Sequence, residues 1–283
     1  MNRLFIAALL FLVFFITSIS LAAEKDSFVF VISPMASPVA TASDFSEFIK
    51  YLSDKLDKKV VLKQRRKYAD INELLRTGNA LAAYTCTGAY LAGRQDFGLE
   101  LLAIPIIKGK TTYNSYIIVH KDSDIKDLNN LKGKTFAFTD PLSLTGRLYV
   151  TSLLNEKGIL TKDYFLRTFY TAGHDKSIEA VAKGLADGAS VDSLILDDLR
   201  EKGSPYASNV KVVMISQSFG MPPFVVSPKL VGKDRKILLE ILLNMPKDKR
   251  GREILQKIGI DGFAFPEHAN YLSANEVKNK VKE

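Results

Sequence analysis

The 283 residues hold a single cysteine, Cys86, so no intramolecular disulfide can form. Stability has to come from buried cores rather than covalent staples. Histidines number three, His120, His174 and His268. Their wide separation gives no metal-ligand spacing with one another or with Cys86, so neither a metal nor a cofactor is expected. No Gly-x-Ser-x-Gly elbow occurs, which counts against a serine hydrolase. No internal repeat of fixed period runs along the chain.

Long hydrophobic runs are also missing. The longest, Leu4 to Ile16, is shorter than the ~20 residues that a spanning helix needs. It follows Arg3 and precedes Ser20-Leu21-Ala22-Ala23, the pattern of a cleavable secretory leader over residues 1–22. The mature chain is expected to begin at Ala23 or Glu24 and to work in the periplasm, with an uncleaved N-terminal anchor as the competing reading. No cysteine follows the run, which argues against a lipoprotein.

Hydrophobic residues make up 47% of the chain and charged ones 25%. That is enough for one large body or two modest lobes with real cores, and it excludes disorder, collagen and small disulfide scaffolds. The net charge of +8 falls to +7 once Arg3 leaves with the leader, a balance suited to an anionic ligand. Basic residues gather at Lys55, Lys58, Lys59, Lys63, Arg65, Arg66 and Lys67 around Val60-Val61-Leu62. This reads as a solvated strand edge rather than a nucleic-acid surface.

From Phe28 onward, short β-branched and aromatic runs alternate with helical periodicity, the grammar of an α/β protein. A helix is expected near 42–56, because Phe45, Phe48, Ile49, Leu52 and Leu56 share one face, with Ser43 as its N-cap. Strands are expected near 59–63 and over 165–170, a helix over 147–156, and a polar tail beyond Ile258. The polar stretch from Lys121 marks the start of a second α/β lobe. Lobe one is expected over 23–117 and 220–283, and lobe two over 118–219.

Three junctions repeat one arrangement, in which an apolar strand runs through a hydroxyl-rich turn into a helix. They are Asp140-Pro141-Leu142-Ser143-Leu144-Thr145-Gly146, Thr171-Ala172-Gly173-His174-Asp175, and Tyr84-Thr85-Cys86-Thr87-Gly88-Ala89-Tyr90. Such a junction aims free backbone N–H groups and the positive end of a helix dipole at one point, where an oxyanion fits. Ser143 or Thr145 as a simple N-cap is the plainer reading of the first. Cys86 reads more plainly as a small packed residue than as a nucleophile. A secreted hydrolase would use Ser143 or Cys86 as nucleophile, His174 as base and Asp175 or Asp192 as orienter.

Leu131-Lys132-Gly133-Lys134, Phe136-Ala137-Phe138, Asp140-Pro141 and Ser143-Leu144-Thr145-Gly146 occur in that order. They are followed by Gly173-His174-Asp175, by 180–187 (Ala-Val-Ala-Lys-Gly-Leu-Ala-Asp) and by Val191-Asp192-Ser193. This succession resembles the phosphate, phosphite and phosphonate substrate-binding proteins of ABC importers. The resemblance implies a two-lobed, type II periplasmic binding fold with a ligand cleft between mixed sheets flanked by helices. It also implies a monomer that binds a small oxyanion and serves an inner-membrane ABC permease, without catalysis and without nucleic acid. On this resemblance Ser143, Thr145, Gly146 and His174 hold the head group, Tyr90 closes on it from lobe one with Thr87, and Asp192 contacts the ligand or its substituent. The chain departs from the pattern at Leu144, where a hydroxyl is usual, at Met35, where an aromatic is usual, and at Thr87-Gly88, where Gly-Pro is usual. These departures leave open a non-phosphorus ligand or a sensor role for the same fold.

Overall fold

The computed structural model describes residues 27–36 and 38–282; the leader expected over residues 1–22 lies outside them. Strand β1 (Phe28–Ile32) is buried along its whole length. Val29 and Val31 face one core, while Phe28, Phe30 and Ile32 face another, as the twofold period of a strand requires when both sheet faces are covered. Then come α1 (Pro38–Leu56), β2 (Val60–Gln64), α2 (Tyr68–Thr77), β3 (Ala82–Tyr84), α3 (Thr87–Phe97) and β4 (Glu100–Ile106). Helix α1 lays Phe45, Phe48, Ile49 and Leu52 into the core. It begins at Pro38, so Ser43 lies inside the helix as an exposed residue rather than at its cap. Proline at a first helical position costs no hydrogen bond and presets the backbone angle, and that signal outweighs the hydroxyl five residues later.

Short β5 (Thr112–Tyr113) leads into β6 (Ser115–His120), which belongs to a second sheet. There follow β7 (Thr135–Phe138), a π-helical turn at Leu144–Leu148, α4 (Tyr149–Glu156), α5 (Thr161–Tyr164), β8 (Arg167–Tyr170), α6 (His174–Ala182), β9 (Gly188–Asp192), α7 (Ser193–Glu201) and β10 (Val210–Ile215). The helix expected from Arg147 thus starts as a wider turn at Leu144, and the strand expected from Phe165 starts at Arg167. Phe165 stacks on Phe136 with ring centroids 4.5 Å apart, so its side chain serves packing below the strand.

The chain returns through β11 (Phe219–Gly220) to β12 (Phe224–Val226), α8 (Lys233–Asn244), α9 (Lys249–Lys257), β13 (Gly262–Ala264) and α10 (Leu272–Lys280). The expected polar tail is folded: β13 adds to β4, and α10 buries Ala274 and Val277. The first sheet has the order β13-β4-β12-β3-β1-β2, and the second the order β10-β6-β9-β7-β8. β5 and β11 pair with each other where the chain crosses between the sheets. Of the basic cluster, Lys63 lies on β2, an edge strand, Lys55 lies in the last turn of α1, and the other five flank the strand. Charged side chains on such an edge discourage pairing with another chain. Among the described residues, no helix is long and apolar enough to cross a membrane.

Candidate functional site

The three strand-to-helix junctions meet between the two sheets. Ser143 caps the π-helical turn, its Oγ accepting the Gly146 N–H at 3.0 Å. Gly146 is required for space: a Cβ there would lie 2.5 Å from Thr139 Oγ1 and 2.8 Å from Ser143 Oγ. Its N–H is spent on Ser143 and is not offered outward. The Thr145 carbonyl accepts hydrogen bonds from Ser115 and Ser190, which pins the turn to the second sheet. Thr145 Oγ1 is fully buried and makes no well-formed hydrogen bond among the described residues.

His174 opens α6, and its backbone N–H donates to the Met35 carbonyl on the first sheet's side at 3.0 Å. Its Nδ1 accepts the Asp192 backbone N–H at 3.1 Å. A backbone N–H can only donate, so Nδ1 carries no proton and the neutral ring holds its hydrogen on Nε2. Burial pushes the imidazole pKa down to about 3, which fixes the ring as neutral across the physiological range. Nε2 lies 3.5 Å from Ser143 Oγ. His174 is therefore a neutral N–H donor aimed at the junction of the two sheets.

The other expected residues divide. Thr87 is buried at the start of α3, and its hydroxyl donates to the Gly220 carbonyl at 2.9 Å, tying α3 to the returning crossover. Asp192, the last residue of β9, caps α7 by accepting the Leu194 N–H at 2.8 Å. Burial pushes its carboxyl pKa up to about 7. Tyr90 is not brought to this place. Its hydroxyl bonds His268 Nδ1 at 3.0 Å and its ring packs edge-on against Tyr271, so it belongs to the packing of the C-terminal segment. Met35 and Leu144 are both buried.

Three residues escaped the reading of the sequence. Tyr68, the first residue of α2, and Tyr113 on β5 are buried, and neither hydroxyl makes a well-formed hydrogen bond among the described residues. The Tyr113 hydroxyl faces those of Thr87 and Thr145, and the surroundings of Tyr68 include Cys86, Asp192 and Tyr113. Asp140 crosses between the sheets, its carboxylate accepting the Tyr68 backbone N–H at 3.1 Å and the Leu142 N–H at 2.8 Å. The signal for Tyr68 was present, because β2 followed by Lys67-Tyr68 is a fourth strand-to-helix junction. The signal for Tyr113 was absent, since only the pairing of β5 with β11 brings it inward.

The result is a buried group of hydroxyls with one imidazole N–H, one thiol and two carboxyls, Asp140 and Asp192, and none of these side chains is a cation. Beside it a cavity of about 490 Å³ is lined from both sheets by Met35, Phe45, Tyr84, Tyr113, Tyr116 and Asp192 among others. Buried hydroxyls without partners are costly in a folded protein, about 1–3 kcal/mol each. Tyr68→Phe is accordingly expected to leave the ligand-free protein as stable as the parent or about 1 kcal/mol more stable, as read by urea denaturation. The same change is expected to weaken anion binding roughly tenfold, the value of one lost hydrogen bond to a charged group. A loss of stability would make the hydroxyl structural.

The family described as ABC transporter, phosphonate, periplasmic substrate-binding protein matches residues 30–271. The Phosphate-import protein PhnD of Mycolicibacterium smegmatis is 28% identical over 228 residues, covering 74% of this chain and 71% of that protein. The phosphonates-binding periplasmic protein of Escherichia coli is 27% identical over 220 residues, covering 76% of this chain and 65% of that protein. Among solved structures, PhnD1 of Prochlorococcus marinus in complex with methylphosphonate superposes with a TM-score of 0.80 at 22% identity, covering 90% of this chain and 98% of that one. A binding protein component of an ABC phosphonate transporter from Pseudomonas aeruginosa gives a TM-score of 0.83 at 21% identity, covering 89% and 85%. At these identities the two structures share the fold expected from the sequence.

Proposed function

The chain belongs to the ABC transporter phosphonate periplasmic substrate-binding protein family, and from that membership we propose that it captures a small tetrahedral oxyanion, a phosphonate, phosphite or phosphate, between two lobes. The lobes are the six-stranded and the five-stranded sheet, each with its helices. The loaded, closed form is then presented to an inner-membrane ABC permease from the periplasm. One observation supports the reading: among the described residues, Tyr68, Tyr113 and Thr145 hold buried hydroxyls that make no well-formed hydrogen bond between the sheets, where Ser143 and the Nε2–H of His174 also point. An anion placed there would satisfy all of them with charge-assisted bonds.

Binding needs no catalysis, and the geometry disfavours a hydrolase. In a serine triad the histidine takes the serine proton on Nε2 while a carboxylate holds its Nδ1–H. Here Nδ1 accepts a backbone N–H, so Nε2 already carries the hydrogen and cannot receive one from Ser143. Neutral donors suit selective capture, because a lysine or arginine would hold any anion by charge alone, whereas hydroxyls and an N–H demand correct positions. Closure follows because only the closed state lets donors of both lobes reach the ligand together.

Calorimetry on protein that has been unfolded and refolded to strip carried-over ligand tests this directly, against phosphate, phosphite, methylphosphonate, 2-aminoethylphosphonate, sulfate and taurine. The expected outcome is micromolar or tighter binding of a phosphorus oxyanion, weakened at least roughly tenfold in His174→Ala by loss of a donor to a charged oxygen. Silence across the panel overturns the proposal.

A further inference from the structure

Cys86 stands at the N-cap of α3, buried, with its Sγ 4.0 Å from Ser143 Oγ of the other sheet's turn. The backbone N–H groups of Gly88 and Ala89 on α3, and of Leu144 on the π-helical turn, all point at that sulfur. Free N–H groups at two helical N-termini form an anion cradle when they converge. In this chain the convergence point holds a thiol. Burial keeps it neutral, with its pKa pushed up to about 11. The unpartnered hydroxyls of Tyr68 and Tyr113 share these surroundings, since Cys86 is among the groups that bear on each.

A thiol is a weak donor and otherwise a small apolar group. A ligand oxygen pressed against it would lose water without gaining a strong hydrogen bond, whereas a hydrogen or an alkyl carbon would lose nothing. Resting on the proposed oxyanion-binding role, we propose that Cys86 determines specificity: the site takes tetrahedral anions that turn three oxygens toward the hydroxyl and imidazole donors and a non-oxygen substituent toward the sulfur. Phosphite and alkylphosphonates fit this description, and phosphate and sulfate do not.

The test compares anions with three oxygens against those with four in the wild type, Cys86→Ser and Cys86→Gly, by calorimetry on refolded, ligand-free protein. The pairs are methylphosphonate against phosphate, phosphite against phosphate, and methanesulfonate against sulfate. The wild type is expected to favour the three-oxygen anion at least roughly tenfold, as for a site whose fourth position offers no strong donor. Both variants are expected to lose most of that preference by gaining affinity for the four-oxygen anion. Serine supplies a strong donor, and glycine releases the three N–H groups. Two substitutions are used so that a folding defect in one, visible in its denaturation curve, leaves the other informative. A preference unchanged within twofold in the folded variants, or a wild type that binds phosphate as tightly as methylphosphonate, overturns the inference. Binding confined to the sulfur pair overturns the phosphorus reading, while the Cys86 comparison still runs on that pair.

Discussion

Gly88→Ala is expected to weaken anion binding on the order of a hundredfold, because it lowers the fraction of molecules able to close. Gly88 lies in the first turn of α3 and faces the turn that carries Ser143 and Thr145. A Cβ there would sit 2.1 Å from the Leu142 carbonyl oxygen and 2.8 Å from the Leu144 backbone N. Both obstacles are backbone, so no side-chain rotation relieves the clash. The Leu142 N–H is held by Asp140, and the Thr145 carbonyl is held by Ser115 and Ser190. The turn therefore cannot recede without breaking buried hydrogen bonds. The cheaper response is for the two sheets to part, which costs the contacts that span them: His174 N–H on the Met35 carbonyl, and Tyr68 N–H on Asp140. With ligand present, small-angle scattering should find the wild type compact and Gly88→Ala extended. Wild-type affinity in the variant would sink the idea that this approach limits closure.

The contrast between Gly88 and Tyr90 marks how far the sequence could be read. The alternation of β-branched runs with helical faces fixed the layer architecture, because the strand period and the helix period each put apolar residues on definite faces. The polar junctions at Ser143, His174 and Thr87 were visible for the same reason, since a hydroxyl or imidazole just before a helix has few other roles. Where a side chain points once the elements pack is a different question, decided by residues far along the chain. Tyr90 turns to His268 and Tyr271, about as distant in sequence as this chain allows, in a segment that looked like a polar tail. Tyr113 turns inward because β11 returns beside it. Asp140 looked like part of the Asp-Pro turn, and its second role, capping α2, depends on Tyr68 across the two sheets. Local pattern carries the grammar of such sites, and only the long-range pairing says which of their donors are spent and which are left for a ligand.

Raising the pH from 4 to 7 is expected to destabilise the ligand-free protein by about 1.4 kcal/mol per unit through Asp192 alone, and Asp192→Asn should abolish that slope. The carboxyl is buried, and burial is the largest cause of its elevated pKa of about 7; the N–H groups of Leu194 and Ile195 offset it in part, and Asp197 adds to it. In the unfolded chain the same group titrates near the ordinary aspartate value of 3.8. Between the two values the native state holds a proton that the unfolded state has lost. The unfolded state therefore binds fewer protons, and stability falls as pH rises through this window, then levels off above the native pKa. This sign is opposite to that of a carboxylate held by an ion pair. The nearby imidazole of His174 does not compensate, because burial keeps it neutral throughout. Urea denaturation of both proteins at each pH isolates the contribution, since every other titrating group cancels in the difference. Asp192→Asn keeps an oxygen to accept the Leu194 N–H and needs no charge in a buried place, so its advantage over the wild type should grow with pH to about 4 kcal/mol and then stay constant. A difference that is flat from pH 4 to 8 would mean that water reaches this carboxylate in solution, and with it that the space between the sheets stands open until a ligand closes it.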